Sequence, residues 1–299
     1  MASSLRELRE RRRSVVSIKQ ITHAMELIAS SRIIKAQQNA RSARPYTDAL
    51  THAISALATY KEIEHPLLED VQPARRSAML LITSDRGMAG AYSTNAIKEA
   101  ERLHKHLVEQ GQDVVQYMTG SKGMAYFRFR DRPVEAHWTG FSDAPKYSHA
   151  REIATELMDR FLMPYEEGGV DQIHVVGTRF ESMLVQRPRT IRLLPLVVEE
   201  EESDATSTGP LPYYAFEPSP EKVLDALLPL YVSNRVFTAL LQSAASELAH
   251  RQQAMKSATD NAQDLIENLT RQANQARQAQ ITQEISEITG GAAALADSA

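Results

Sequence analysis

Apolar residues in the first part of the chain recur at threes, fours and their sums. Leu5, Leu8, Val15, Ile18, Ile21, Met25 and Ile28 form the series, which is the spacing of one helix face. Ser4 and Glu7 stand ahead of it as an S-x-x-E capping box, which places the helix start there. Nothing breaks helix before Pro45, and Ala49, Leu50, Ile54 and Leu57 resume the helical composition after it. With that interruption tolerated, the pattern predicts a helix of about 55 residues.

Beyond residue 75 the period changes. Residues 78–83 are a short apolar run that ends in the loop Ser84-Asp85-Arg86-Gly87-Met88-Ala89-Gly90. A helical stretch at about 94–109 stops at Gly111, and Val114, Val115, Tyr117 and Met118 read as a second strand. Residues 148–162 read as helix and 173–176 as a buried strand, with further strands expected at 183–185 and 190–198. Strands alternating with helices predict a small α/β layer with a mostly parallel sheet. Residues 199–218 form an acidic stretch with Ser, Thr and Pro, which reads as a loop.

Helix restarts at Ser219-Pro220-Glu221, a cap followed by proline at the first helical position. Pro229 is expected to kink or divide it. From there to Thr289 neither Gly nor Pro occurs, which at 1.5 Å per residue predicts a rod of about 90 Å. A helix of that length must pair or project. Steps of four and three from Phe237 reach Leu241, Ala244, Leu248, Arg251, Met255, Ala258, Ala262, Leu265, Leu269, Gln272, Ala276 and Ala279. All but Arg251 and Gln272 are apolar, so the stripe is a sustained heptad and predicts a coiled coil. Its later positions are mostly alanine, which predicts a taper. The long N-terminal helix is the natural partner, in an antiparallel pair; a parallel homodimer through the C-terminal helix alone is the alternative. The chain thus divides into a shaft helix at 1–60, an α/β domain at 75–200 and a second shaft helix at 219–290.

Composition sharpens this picture in three places. The net charge of −4 gives no general attraction to nucleic acid or anionic lipid. Residues 1–44 are nevertheless basic, with ten Arg and Lys against Glu7, Glu10 and Glu26; they predict an acidic neighbour, or else a solvated helix face. The absence of cysteine excludes disulfides and thiolate metal sites. No uninterrupted run of about 18 apolar residues is present, so no bilayer-spanning segment is expected. The Arg-rich start contains glutamates and runs straight into the helical pattern, so it reads as mature structure rather than a transit peptide.

Catalytic signatures are weak. The Gly87/Gly90 loop sits between a strand and a helix, where phosphate loops sit, but it fits neither the dinucleotide nor the P-loop spacing. His104 and His106 lie two apart on a helix and diverge, and no H-E-x-x-H or nucleophile motif occurs. Nucleic-acid binding is not supported, since the basic start lacks interleaved aromatics. These readings predict a chain that binds no cofactor or metal and is not itself a catalyst.

Several segments together resemble the gamma subunit family of bacterial F-type ATP synthases. ITQEISEITGGAAA at 281–294 is similar to the family signature I-T-x-E-x-x-[DE]-x-x-x-G-A, with AMKSATDNA at 254–262 and ARQAQITQE at 276–284 beside it. IKQITHAMELIASSRI at 18–33, ARPY at 43–46, SDRGMAG at 84–90 and YAFEP at 214–218 continue the likeness in order. The resemblance implies an antiparallel coiled coil of the terminal helices with a Rossmann-like α/β domain at its base. It implies a central-stalk rotor inside a ring of three alpha and three beta subunits, standing with epsilon on the membrane c-ring. The rotor would couple proton-driven rotation to ATP synthesis on beta, peripherally, at the cytoplasmic face of a bacterial plasma membrane.

Roles implied for single residues follow the matching motifs. Met25, Arg277, Gln278, Thr282, Glu284 and Glu287 would face beta from the shaft, and Asp85, Arg86 and Gly87 would do so from the base loop. Tyr214, Phe216 and Glu217 would face the c-ring and epsilon. Ala89 stands where much of the family has cysteine, so any role of that thiol is absent.

Overall fold

The computed structural model describes residues 2–58, 66–68, 71–195, 217 and 219–297. In chain order they form α1 (Ala2–Ala58), β1 (Arg76–Ile82), α2 (Tyr92–Glu109), β2 (Asp113–Thr119), α3 (Ser121–Phe129), β3 (Ala136–Trp138), α4 (Tyr147–Leu162), β4 (Gln172–Phe180), β5 (Gln186–Leu194) and α5 (Pro220–Asp297). They group into two compact units, one of residues 30–250 and one of residues 1–29 with 251–299.

The larger unit is built on a five-stranded sheet of order β3-β2-β1-β4-β5. β1 pairs in parallel with β2 and β4, and β2 with β3, while β5 returns antiparallel to β4. The side chains of β1 alternate between two cores. Ala78, Leu80 and Ile82 pack with Ile153, Ala154 and Leu157 of α4 and Leu224, Leu228, Val232 and Val236 of α5. Met79 and Leu81 face Ala96, Ile97 and Ala100 of α2 and Phe127 of α3. Burial on both faces is why β1 reads as a continuous apolar run. Gly120, at φ 91°, ends β2 where a Cβ would stand 2.2 Å from the Thr83 carbonyl oxygen, so only glycine fits.

α5 is tied to the sheet by hydrogen bonds as well as by apolar packing. The Thr178 amide donates to Ser243 Oγ (3.1 Å), the Phe180 amide to Gln242 Oε1 (3.2 Å), and Ser246 Oγ to the Thr178 carbonyl (3.2 Å). Gly177 allows this approach, since a Cβ there would lie 3.0 Å from Ser243 Oγ. Within the same unit, Ile33 and Ala36 of α1 pack on Ala245, Leu248 and Ala249 of α5, with Phe180 against them. Asn234 Nδ2 donates to Thr47 Oγ1 at 2.8 Å.

In the smaller unit α1 and α5 run antiparallel. Thr259 Oγ1 donates to Thr22 Oγ1 at 2.8 Å and Lys19 Nζ to Gln263 Oε1 at 2.7 Å, while Val15 packs with Ala262 and Leu269. The covered row on α5 is Met255, Thr259, Ala262, Ile266, Leu269, Ala273 and Ala276, spaced four and three.

The heptad period is therefore as the sequence implies, but alternate positions move by one residue. Leu265, Gln272 and Ala279 face outward, where Ile266, Ala273 and Gln280 turn inward. On α1 the inward row passes through Val15, Thr22 and Ala29, and Ile18, Ile21 and Ile28 are each more than half exposed. The polar Thr22–Thr259 pair explains the difference, because a count of apolar positions passes over two threonines that bury each other's hydroxyls.

Other boundaries also shift. α1 begins at Ala2, so Ser4 lies inside the helix rather than at its cap. Pro45 and Pro229 both lie within unbroken helix, and α5 is not divided. Ser233 Oγ donates to the Pro229 carbonyl. α5 also continues through Gly290 and Gly291 to Asp297. Each glycine costs about 1 kcal/mol relative to alanine, and the Ala-rich run that follows has the opposite preference.

Residues 183–185 are the turn between β4 and β5 and not a strand, since Ser182 Oγ accepts the amides of Leu184 and Val185. β5 starts at Gln186, ahead of the expected 190, because its exposed Arg187 and Arg189 belong to an edge strand with little apolar signal. Its expected end at 198 lies outside the described residues. α3 and β3 carry too few periodic positions to be read from sequence. One 18-residue window of α5 reaches a mean hydropathy of 1.2, apolar enough by length and composition to cross a membrane, and 39% of it is buried in the chain. The sequence expectation counted uninterrupted apolar residues, whereas an average tolerates polar ones between them.

His174 of β4 is buried, with Nε2 3.3 Å from Gln172 Oε1. Burial, then Arg192 and His106, lower its pKa from 6.5 to about 4. Between those values the unfolded chain binds a proton that the folded chain does not, so stability falls as pH drops through that interval and is complete above pH 6.5. Urea unfolding at pH 7.5 and pH 5 should show a loss on the order of 2 kcal/mol. The His174→Gln variant should lose clearly less than the parent between the same two pH values.

Candidate functional site

The loop after β1 is organised by one carboxylate. Asp85 Oδ1 accepts the Ser121 amide (3.1 Å) and hydroxyl (3.2 Å), and Oδ2 accepts the amides of Gly140 (2.8 Å) and Ser142 (3.0 Å). The Asp85 amide donates to Ser142 Oγ at 2.9 Å. The loops that follow β1, β2 and β3 are thereby tied at one point. Of the residues expected to present a surface here, Asp85 is used inside the chain. Arg86 is exposed, and Gly87 lies beneath the Lys122 side chain. Met88, at φ 61° and 57% exposed, is the apolar member of this loop that faces outward.

Sheet order reverses between β1 and β4, the position where doubly wound sheets open a ligand crevice. Here that position is taken by the chain itself. Tyr92 at the start of α2 is fully buried, with its ring 6.0 Å from His250 of α5. Ser84 and Ser93 hydroxyls close on each other at 2.7 Å, and Ser243 of α5 covers Gly177 and Thr178. Burial lowers the pKa of His250, which favours a neutral ring in this packing. Among the described residues no group of His, Asp and Glu has the arrangement of a metal site.

The shaft residues expected to act together lie on one continuous stretch of α5. Arg277, Gln278, Thr282, Glu284 and Glu287 are all exposed, as is every residue from 281 to 290. Glu284 and Glu287 accept from Gln280 and Gln283 one turn earlier (3.0 and 2.8 Å), and the Thr282 carbonyl accepts Ser286 Oγ (2.9 Å). Arg277 makes no ion pair with another described residue. Ile281, Ile285 and Ile288 make an exposed apolar row beside this polar set. Met25 is half-buried beside the seam on α1. It lies near the level of Thr259, and Arg277 is about 27 Å further along α5 at 1.5 Å per residue, so the two belong to separate patches. Glu217 is exposed, whereas Tyr214 and Phe216 lie outside the described residues.

Sequence reasoning missed Thr22, Thr259, Lys19 and Gln263 in the seam. It also missed the ion pair of Arg32 on α1 with Asp143 after β3. Threonines and a lysine at heptad positions were the available signal for the first four. No local pattern marks the last pair.

The chain combines an antiparallel pair of terminal helices with an α/β sheet whose crevice is filled from within. The rotor of the Euglena gracilis mitochondrial ATP synthase shares this fold, with a TM-score of 0.67 at 16% identity over 94% of this chain and 100% of that one. The ATP synthase family profile matches residues 4–295. The ATP synthase gamma chain of a Nocardioides species is 60% identical over 99% of this chain and 98% of its own length. That of Cutibacterium acnes is 58% identical over 100% and 99%. The chain belongs to the ATP synthase gamma-chain family.

Replacing Asp85 by Ala removes the acceptor for four donors. It should destabilise the chain by about 2–3 kcal/mol, read as a lower urea midpoint. Asp85→Asn, which keeps one accepting oxygen, should fall between the variant and the parent.

Proposed function

We propose that this chain is the rotor shaft through which proton-driven turning of a c-ring reaches the catalytic sites of an F-type ATP synthase. The observation that carries this reading is the wholly exposed stretch 281–290 of α5, with Arg277, which makes no ion pair with another described residue, just before it. A helix end that offers both an apolar row and a polar set, and covers neither within the chain, is shaped for surrounding partners. Those partners would be three alpha and three beta subunits, with epsilon and the c-ring at the α/β unit, on the cytoplasmic face of a bacterial plasma membrane.

Coupling on this reading needs no catalytic group on the shaft. Ile281, Ile285 and Ile288 mark one side of α5, and Arg277 with Glu284 and Glu287 supplies charge, so the helix is unlike itself from side to side. Each beta subunit would meet a different face as the shaft turns. Differential contact with its conformers would shift their affinities for nucleotide. The filled crevice beside Tyr92 and Ser243 supports a chain that transmits and does not bind nucleotide itself. On α1, exposed Ile18, Ile21 and Ile28 with the neighbouring arginines would meet beta loops of acidic character.

Co-expression with alpha and beta subunits from the same source, purified through a tag on beta, should yield one copy of this chain per three of each, with cooperative ATPase activity. A soluble alpha–beta preparation that excludes the chain would overturn the assignment. Arg277→Ala should assemble normally yet lower proton-driven ATP synthesis at least about tenfold, the loss of one charge-assisted contact of about 1.5–3 kcal/mol. Unchanged synthesis would remove Arg277 from the coupling surface.

A further inference from the structure

The loop between β3 and α4 is held by the β1 loop, by α1 and by α4. Its first residues are fixed by Asp85, which holds the Gly140 and Ser142 amides and through its own amide the Ser142 hydroxyl. The next residue, Asp143, forms an ion pair with Arg32 of α1, the carboxylate side largely buried and the guanidinium half exposed. Phe141 stacks on His149 of α4 with ring centroids 4.1 Å apart. Tyr147, the first residue of α4, meets Phe237 of α5 edge-on at 5.5 Å. A single short segment is thus anchored to the β1 loop at one end and to α1 and α4 further on, with the first residue of α4 set against α5.

We infer that this loop is a strut that makes the sheet and α1 turn as one body, with Arg32 and Asp143 as positioning residues for coupling. The inference rests on the rotor reading given above. Apart from the Asn234–Thr47 hydrogen bond to α5, the Ile33 and Ala36 contacts that hold α1 in this unit are apolar and non-directional, and they resist separation better than sliding. A charge pair to a carboxylate on a loop clamped by hydrogen bonds is directional. Its geometry changes as soon as α1 shifts along or around its own axis. Asp85 acts one step back: it fixes where Asp143 can be, and so where Arg32 is held.

Charge reversal tests the strut in the assembled enzyme. The complex would be prepared in inverted membrane vesicles with Arg32→Asp, Asp143→Arg and the two combined, and proton pumping would be read against ATP hydrolysed. Each single reversal places like charges together and should lower pumping per ATP by about threefold, within the range a part-exposed pair can carry. Hydrolysis and the yield of complex should stay near parental. The double reversal restores the attraction and should recover most of the ratio.

If single variants pump as the parent does per ATP, the strut is overturned. The same holds if they only reduce the yield of complex, since that is a purely structural effect, or if the double reversal recovers nothing. Failure of the parental chain to join alpha and beta is a separate result, and it overturns the rotor reading itself.

Discussion

A helix of 78 residues has one apolar stripe and far more length than a small α/β layer can cover. The rest of the structure depends on how that stripe is hidden. In the larger unit, Leu224 to Leu240 of α5 lie on the sheet, and Ala245 to Ala249 lie against α1 and Phe180. In the smaller unit α1 is the partner that covers α5. One helix serves as a core helix in its first third and as half of a coiled coil afterwards. Its residues change accordingly, with leucine and valine packing on the sheet and alanine and threonine where two helix axes must approach closely.

The sequence carried the period of this stripe more faithfully than its register. Steps of three and four identify a heptad. They do not decide which of two adjacent residues points inward, and Leu265 and Ile266 are equally apolar. The choice is made by contacts distant in sequence, here the hydroxyl pair Thr22–Thr259 and the Lys19–Gln263 bond, which fix α1 against α5. Ile18, Ile21 and Ile28 misled for a related reason. An apolar row left exposed looks the same in the sequence as a row packed into the chain's own core.

In the α/β layer, the strands buried on both faces were legible because such burial favours runs of apolar residues. β3 and β5 were not, or only in part. Edge strands are half solvated, and the pairing that defines them is made by backbone atoms which side-chain patterns do not record. The same limit applies to Asp85. Its place in a loop of family type suggests an outward role, yet its four acceptor bonds come from Ser121, Gly140 and Ser142, up to 57 positions away. Recognition by motif found the loop. Only geometry separates the residue that builds it from Arg86 and Met88, which it displays.

Both open margins of the sheet are blunted. β3 offers three residues, too short to template a long ladder. β5 carries Pro188, which has no N–H to donate, between the exposed Arg187 and Arg189. The isoleucine rows of α1 and α5 are uncovered in the chain. A free strand margin would then add intermolecular hydrogen bonding to that apolar stickiness, the combination that seeds fibres. Closing both margins leaves side-chain adhesion, which is reversible, in place of a templated ladder.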